Sequence, residues 1–167
     1  MKKTLSALLT VSVLIILFIG FVIVAVVSQM QGSEEKRKDF IELLDKTNYY
    51  FVGEVRLIEK IHKGVGFICL EKHEFNETGE KQLVFNNNIV SMLNDKGYVV
   101  QLGQISFRSK DNKELNVKVG DIVKYNFDNS GLYQVFRNDT LIYEDHAIID
   151  NPTLQKRFLQ FFQNSCK

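Results

Sequence analysis

The chain has 167 residues, 45% of them hydrophobic, and sets 21 Lys and Arg against 20 Asp and Glu. With Lys2 and Lys3 set aside, one more acid than base remains, which excludes a basic field able to hold nucleic acid or anionic lipid by charge alone. The apolar residues are concentrated in one N-terminal run, and the roughly 130 residues beyond it suffice for one domain with a core but not for two.

Residues 1–4 form a short tail carrying Lys2 and Lys3, and residues 5–28 form the apolar run. Leu5 to Val27 contains no charged residue. As a helix this stretch is about 35 Å long, enough to cross a hydrocarbon layer of about 30 Å with some tilt. Ser6, Thr10, Ser12 and Gly20 are tolerable within it, because a helix satisfies its own backbone. A cleaved signal peptide would share the basic start and the small Val26 and Ser28, but its apolar region runs only about 7–15 residues. A buried core helix would be apolar along one stripe, whereas this run is apolar on every side. The expectation is therefore an uncleaved, single-pass signal-anchor in contact with the lipid bilayer through residues 5–28. Lys36, Arg37 and Lys38 nearly balance Lys2 and Lys3 across the run. The very short N-terminal tail favours a C-terminal domain outside the cytoplasm.

Residues 29–48 read as a helical stalk or linker. Phe40, Ile41, Leu43 and Leu44 give it an apolar side, and its charged start is expected to be solvated. From Tyr49 the period changes to two, and residues 49–148 are expected to form an antiparallel β domain. Lys63-Gly64 turns the first hairpin, Tyr49 to Glu71. His73 to Gln82 reads as a loop and Leu83 to Phe85 as a short strand. Ile89 to Leu93 fits either a short helix after Asn88 or a strand leading into an Asn94-Asp95-Lys96-Gly97 hairpin loop. Strands are then expected at Tyr98–Leu102, Ile105–Arg108, around Leu115 and Val117, and at Ile122–Phe127. Asn138-Asp139 joins two more, Leu132–Arg137 and Thr140–Tyr143. Residues 149–167 are expected to be a helix capped by Asp150 or Asn151, with Pro152 in its first turn. Leu154, Phe158, Phe161 and Phe162 form its apolar stripe. The fold class that follows is a transmembrane helix, then a small antiparallel barrel, OB-like or SH3-like, then a helix that plugs an open end.

Motifs for chemistry are incomplete throughout. Gly64-Val65-Gly66 starts a dinucleotide fingerprint, but Cys69 stands at the third glycine. His73-Glu74-Phe75-Asn76-Glu77 starts a zinc-protease motif but has Glu77 in place of the second His. His62 and His73 lie far apart along one hairpin, and His146 follows Glu144 and Asp145 in a strand whose neighbours face opposite ways. No catalytic, cofactor-binding or metal-binding residue is assigned, and no cofactor is expected. Cys69 and Cys166 could close a loop across the domain, but sequence does not bring two Cα atoms together. The plainer expectation is a buried apolar Cys69 and a free Cys166 near the terminus. Asn76-Glu77-Thr78 and Asn138-Asp139-Thr140 match the glycosylation sequon, a short and common pattern.

A basic tail, one anchor and a small β-barrel resemble the architecture of the bacterial haem-chaperone family of cytochrome c maturation. That family attaches haem through a His followed by Tyr at i+4. Here His62, His73 and His146 are followed at that spacing by Gly66, Glu77 and Asp150, so haem attachment is not implied. Val119-Gly120-Asp121 through Tyr133-Gln134-Val135-Phe136-Arg137-Asn138-Asp139 is similar to the C-terminal strands of uncharacterised bacterial single-pass membrane proteins, which implies a bacterial envelope setting, at the inner membrane. The functional expectation is a non-enzymatic, membrane-tethered β domain that binds an envelope protein partner and not nucleic acid. The alternative is an enzyme or cofactor carrier using His73, Glu74 or Cys69. A pocket holding two of these within hydrogen-bond reach would separate the two.

Overall fold

A computed structural model describes residues 2–62, 64–76, 80–108, 112–126, 131–145 and 155–166, with the side chains of residues 2–13 and of His62 outside that description. The chain divides into two compact units, Met1–Asp39 and Phe40–Lys167. Helix α1 runs Lys2–Thr47. From Leu14 onward it is long and apolar enough to cross a membrane, with a mean hydropathy of 2.4 and no buried residue in its most apolar window.

The second unit begins at Phe40, inside the segment expected to be a stalk. Phe40 and Leu44 are buried in the domain core, and Phe40 meets Phe85 edge-on with ring centroids 4.9 Å apart. These are the apolar positions of the segment at i and i+4, which share one helix face. The helix stops because Asn48 takes a left-handed conformation (φ 48°), and Tyr49 N–H donates back to Leu44 C=O. Asn126, fully buried, then fixes the exit by donating its side-chain amide to Tyr49 C=O at 2.8 Å.

Among the described residues ten strands follow: β1 (Phe51–His62), β2 (Val65–Phe75), β3 (Gln82–Phe85), β4 (Asn88–Leu93), β5 (Tyr98–Gln104), β6 (Ser106–Arg108), β7 (Glu114–Asn116), β8 (Ile122–Tyr125), β9 (Tyr133–Arg137) and β10 (Thr140–Asp145). Eight form one sheet in the order β10-β9-β8-β1-β2-β5-β4-β3, and β6 pairs with β7 in a separate ribbon. Every pairing is antiparallel. The expected closed barrel is not formed, because β10 and β3 are the ends of the sheet and do not pair with each other. Three register irregularities along β1 and β2, at Val52/Gly53, Val55/Leu57 and Lys60/His62, bend this central pair. Aromatic and aliphatic side chains fill the core where closure would otherwise be needed. They include Phe40 and Leu44 from α1 and Phe107 and Val117 from the β6–β7 region.

β2 extends to Phe75, past the point where a loop was expected, because Phe51, Val52 and Gly53 pair with Phe75, Glu74 and Lys72. Ile89 to Leu93 is strand, not helix. Asn86 and Asn87 both take positive φ, 49° and 62°, and make the two-residue turn that joins β3 to β4. Asn138 and Asp139 do the same, at 48° and 59°, between β9 and β10.

Helix α2 (Gln155–Ser165) lies on the face of the sheet opposite the main core. It does not plug an end. Paired strand residues share a face: Phe67 with Leu102, and Cys69 with Val100, face α2, while Leu70 with Val99 faces the main core. Phe158 and Phe161 bury themselves on Phe67, at centroid distances of 5.5 and 5.7 Å. Asp150, Asn151, Pro152 and Leu154 lie outside the described residues. Truncating Phe158, which is 1% exposed, should cost about 3–5 kcal/mol. Phe158→Ala in the full chain should therefore melt well below the wild type by circular dichroism. An unchanged melt, with wild-type oligomers held through the helix, would mean that α2 packs on a partner.

Candidate functional site

His73, Glu74 and Cys69 come from one strand and do not converge. His73 is about half exposed, and its Nε2 stands 3.8 Å from Glu54 Oε2. Glu74 accepts a hydrogen bond from Tyr50 Oη at 3.2 Å, and this contact to a carboxylate raises the Tyr50 pKa. Cys69 is buried beneath α2 and bonded to Cys166, with the two Cα atoms 5.8 Å apart. The expected free Cys166 is thus corrected. The helical register that seats Phe158 and Phe161 on β2 also brings the chain end down over Cys69. Asn94 Nδ2 donates to Cys166 C=O at 3.1 Å and holds that end in place.

Beyond the disulfide, the same sheet face becomes charged. Arg56 donates to Glu54 Oε1 at 2.6 Å and to Glu71 Oε2 through Nε, also at 2.6 Å, and the Glu71 contact chiefly raises its pKa. Glu71 thus accepts from Arg56 and Glu74 from Tyr50. No group of three or more His, Cys, Asp or Glu able to hold a metal is present among the described residues. His146 lies outside them. Of the two sequons, Asn76 is largely buried and donates its amide to Asn48 C=O at 2.7 Å, while Asn138 sits in the exposed β9–β10 turn.

Asp121 and Arg137 form a second polar feature that sequence reasoning missed. Asp121 is 2% exposed and takes a two-pronged contact from Arg137, Nε to Oδ1 and Nη2 to Oδ2, both at 2.8 Å. Lys118 N–H also donates to Asp121 Oδ2, and Arg137 reaches Asn116 C=O. These contacts brace the β7–β8 turn against β9. Arg137 is held above its ordinary pKa, chiefly by its bonds to Asp121.

Clefts open on the domain among the described residues. One of about 500 Å³ is lined by Lys72, Phe75, Lys81 and Leu93 together with the Asn94–Gly97 loop. A second, of about 460 Å³, lies beside the β6–β7 ribbon, where Ser106 Oγ donates to Glu114 and Gln104 Nε2 to Ser106 C=O. A third, of about 190 Å³, lies between α2 and Glu59, which pairs with Arg157 at 2.7 Å. His73, Glu74 and Cys69 line none of these three. The clefts draw on residues from loops distant in sequence, and no local pattern marks them. No protein-family model, curated protein or solved structure matches the chain. The class that fold and surface define is thus a long apolar N-terminal helix followed by an antiparallel β domain with one covering helix.

Proposed function

We propose that this is a single-pass membrane protein of the bacterial envelope, anchored in the inner membrane by residues 5–28, whose β domain lies outside the cytoplasm and binds a protein partner there. The anchor reading rests on the length and hydropathy of α1. The side of the membrane rests on the Cys69–Cys166 disulfide, since such bonds persist in oxidising compartments and are reduced in the cytosol.

The observation that carries partner binding is the edge of β10. β10 pairs with β9 on one side, and no described strand pairs with its other edge. Leu141 is 45% exposed there. An edge strand offers backbone donors and acceptors to an extended segment of another chain. Glu144 and Asp145 favour basic residues on that segment. Tethering to a surface raises the effective concentration of partners held at the same membrane.

A periplasm-active reporter fused after Lys167 should be active, and a cytoplasm-active one silent. The reverse pattern would invert the topology. A photo-crosslinking residue at position 141 of the full chain should give an adduct of one discrete size in cells, with none at position 159 on α2. Absence of the adduct at 141 would remove the edge-strand reading while leaving the anchor untouched.

A further inference from the structure

The 500 Å³ cleft differs from the rest of a nearly neutral domain. Among the described residues, Lys72, Lys81 and Lys96 line it with a single carboxylate, Asp95. The Lys81–Asp95 pair is 2.9 Å long, with its side chains 67% and 92% exposed, so the contact contributes little and is readily exchanged for another anion, and three lysines against one carboxylate leave positive charge in surplus. Phe75 and Leu93 also line the cleft, and both belong to or pack on the main core.

The walls are held by backbone bonds. Lys72 N–H donates to Gly97 C=O at 2.7 Å, and Leu93 N–H to Lys81 C=O at 2.8 Å. Asn94 Oδ1 accepts from Lys96 N–H and Tyr98 N–H and so fixes the loop that carries Lys96. Gly97 holds the left-handed turn of that loop at φ 84°. A volume of this size, lined by apolar side chains and a few polar groups, has the character of a small-molecule site.

We propose that this cleft binds a small amphiphilic oxyanion, with a phosphate or carboxylate on the three lysines and an apolar body on Phe75 and Leu93. The ammonium groups supply charge-assisted hydrogen bonds to the oxyanion. The apolar contact selects an anion with a hydrocarbon part over a bare inorganic one. A soluble organic anion and the headgroup of an anionic lipid both carry this chemistry.

The test uses the full chain in nanodiscs of zwitterionic lipid, with the Lys96 and Gly97 amide resonances followed by NMR. Hexyl phosphate should shift both saturably, and inorganic phosphate and hexanol should each bind about tenfold more weakly or worse. Lys72→Gln with Lys96→Gln should weaken hexyl phosphate by about tenfold while the remaining spectrum is kept. Adding phosphatidylglycerol to the nanodisc identifies the source. The same shifts there would support a lipid headgroup, and shifts with hexyl phosphate alone would support a soluble anion. No saturable shift in either arm, hexanol binding as tightly as hexyl phosphate, or undiminished binding in the double variant would each overturn the proposal.

Discussion

Replacing Cys166 with serine should lower the thermal stability of the β domain more than any surface change. The Cys69–Cys166 bond spans 97 residues of sequence. Closing a loop of about that length restricts the unfolded chain by an amount worth about 4.7 kcal/mol. A domain of this size is stable by only about 5–15 kcal/mol in total, so the midpoint should fall by about 10–20 °C. Two measurements on the full chain in detergent check this: the melt of Cys166→Ser, and the melt of the wild type after reduction. They should agree, because each removes the same cross-link and leaves α2 held only by non-covalent contacts, chiefly the packing of Phe158 and Phe161. The sulfurs are buried beneath that helix, so reduction should be slow in native buffer and fast in mild denaturant. A reduced protein that melts within a degree or two of the oxidised one would show that loop closure contributes nothing here.

The second large effect is expected in alkali. Tyr49, Tyr125 and Tyr133 are fully buried, and burial is the main cause pushing each hydroxyl well above its ordinary pKa. Tyr49 is eased slightly by its 2.7 Å bond to Ser91. The Tyr125 hydroxyl has no hydrogen-bond partner among the described residues and is raised further by Tyr49. In the unfolded chain all three ionise near pH 10. Above that pH the unfolded state sheds protons that the folded state keeps, and unfolding becomes more favourable as pH rises. The stability these groups protect is fully present below about pH 10 and is lost above it. The loss is at most about 1.4 kcal/mol per pH unit for each tyrosine, or about 4 for the three together. The tyrosinate absorbance of these three should therefore appear in one cooperative step, coincident with loss of far-ultraviolet ellipticity. Tyr125→Phe should shift that step to higher pH and make the pH dependence shallower. Smooth titration of every tyrosine near the ordinary value, with structure retained, would contradict burial of these three hydroxyls.

The apolar N-terminal helix is legible in the chain without any tertiary information. About 23 residues without a charge satisfy a criterion of length and polarity, which needs no partner element. The same holds for Asn138-Asp139. Asparagine and aspartate tolerate positive φ, so the turn is encoded by the two residues that make it. Alternation likewise marks β1, β8 and β9, because burial on one face of a strand imposes a period of two.

Other features depend on long-range packing. Phe40 and Leu44 read as one side of a solvated stalk until the sheet supplies a core for them. Phe67 to Leu70 form a run buried on both faces, with α2 on one side and the main core on the other. A period of two cannot say what covers each face. Whether the sheet closes depends on which strands meet at its ends, and the bends in β1 and β2 leave no clear pattern in composition. The disulfide is the sharpest case. Cys69 and Cys166 are ordinary residues at 97 positions' separation, and only the seating of Phe158 and Phe161 against β2 brings them together. The lysine cleft has the same origin, since Lys72, Lys81 and Lys96 belong to three segments that meet only after the strands have paired. Local conformation follows from neighbours along the chain. The disulfide, the clefts and the open sheet edges follow from contacts between residues far apart in sequence, which depend on how whole elements dock.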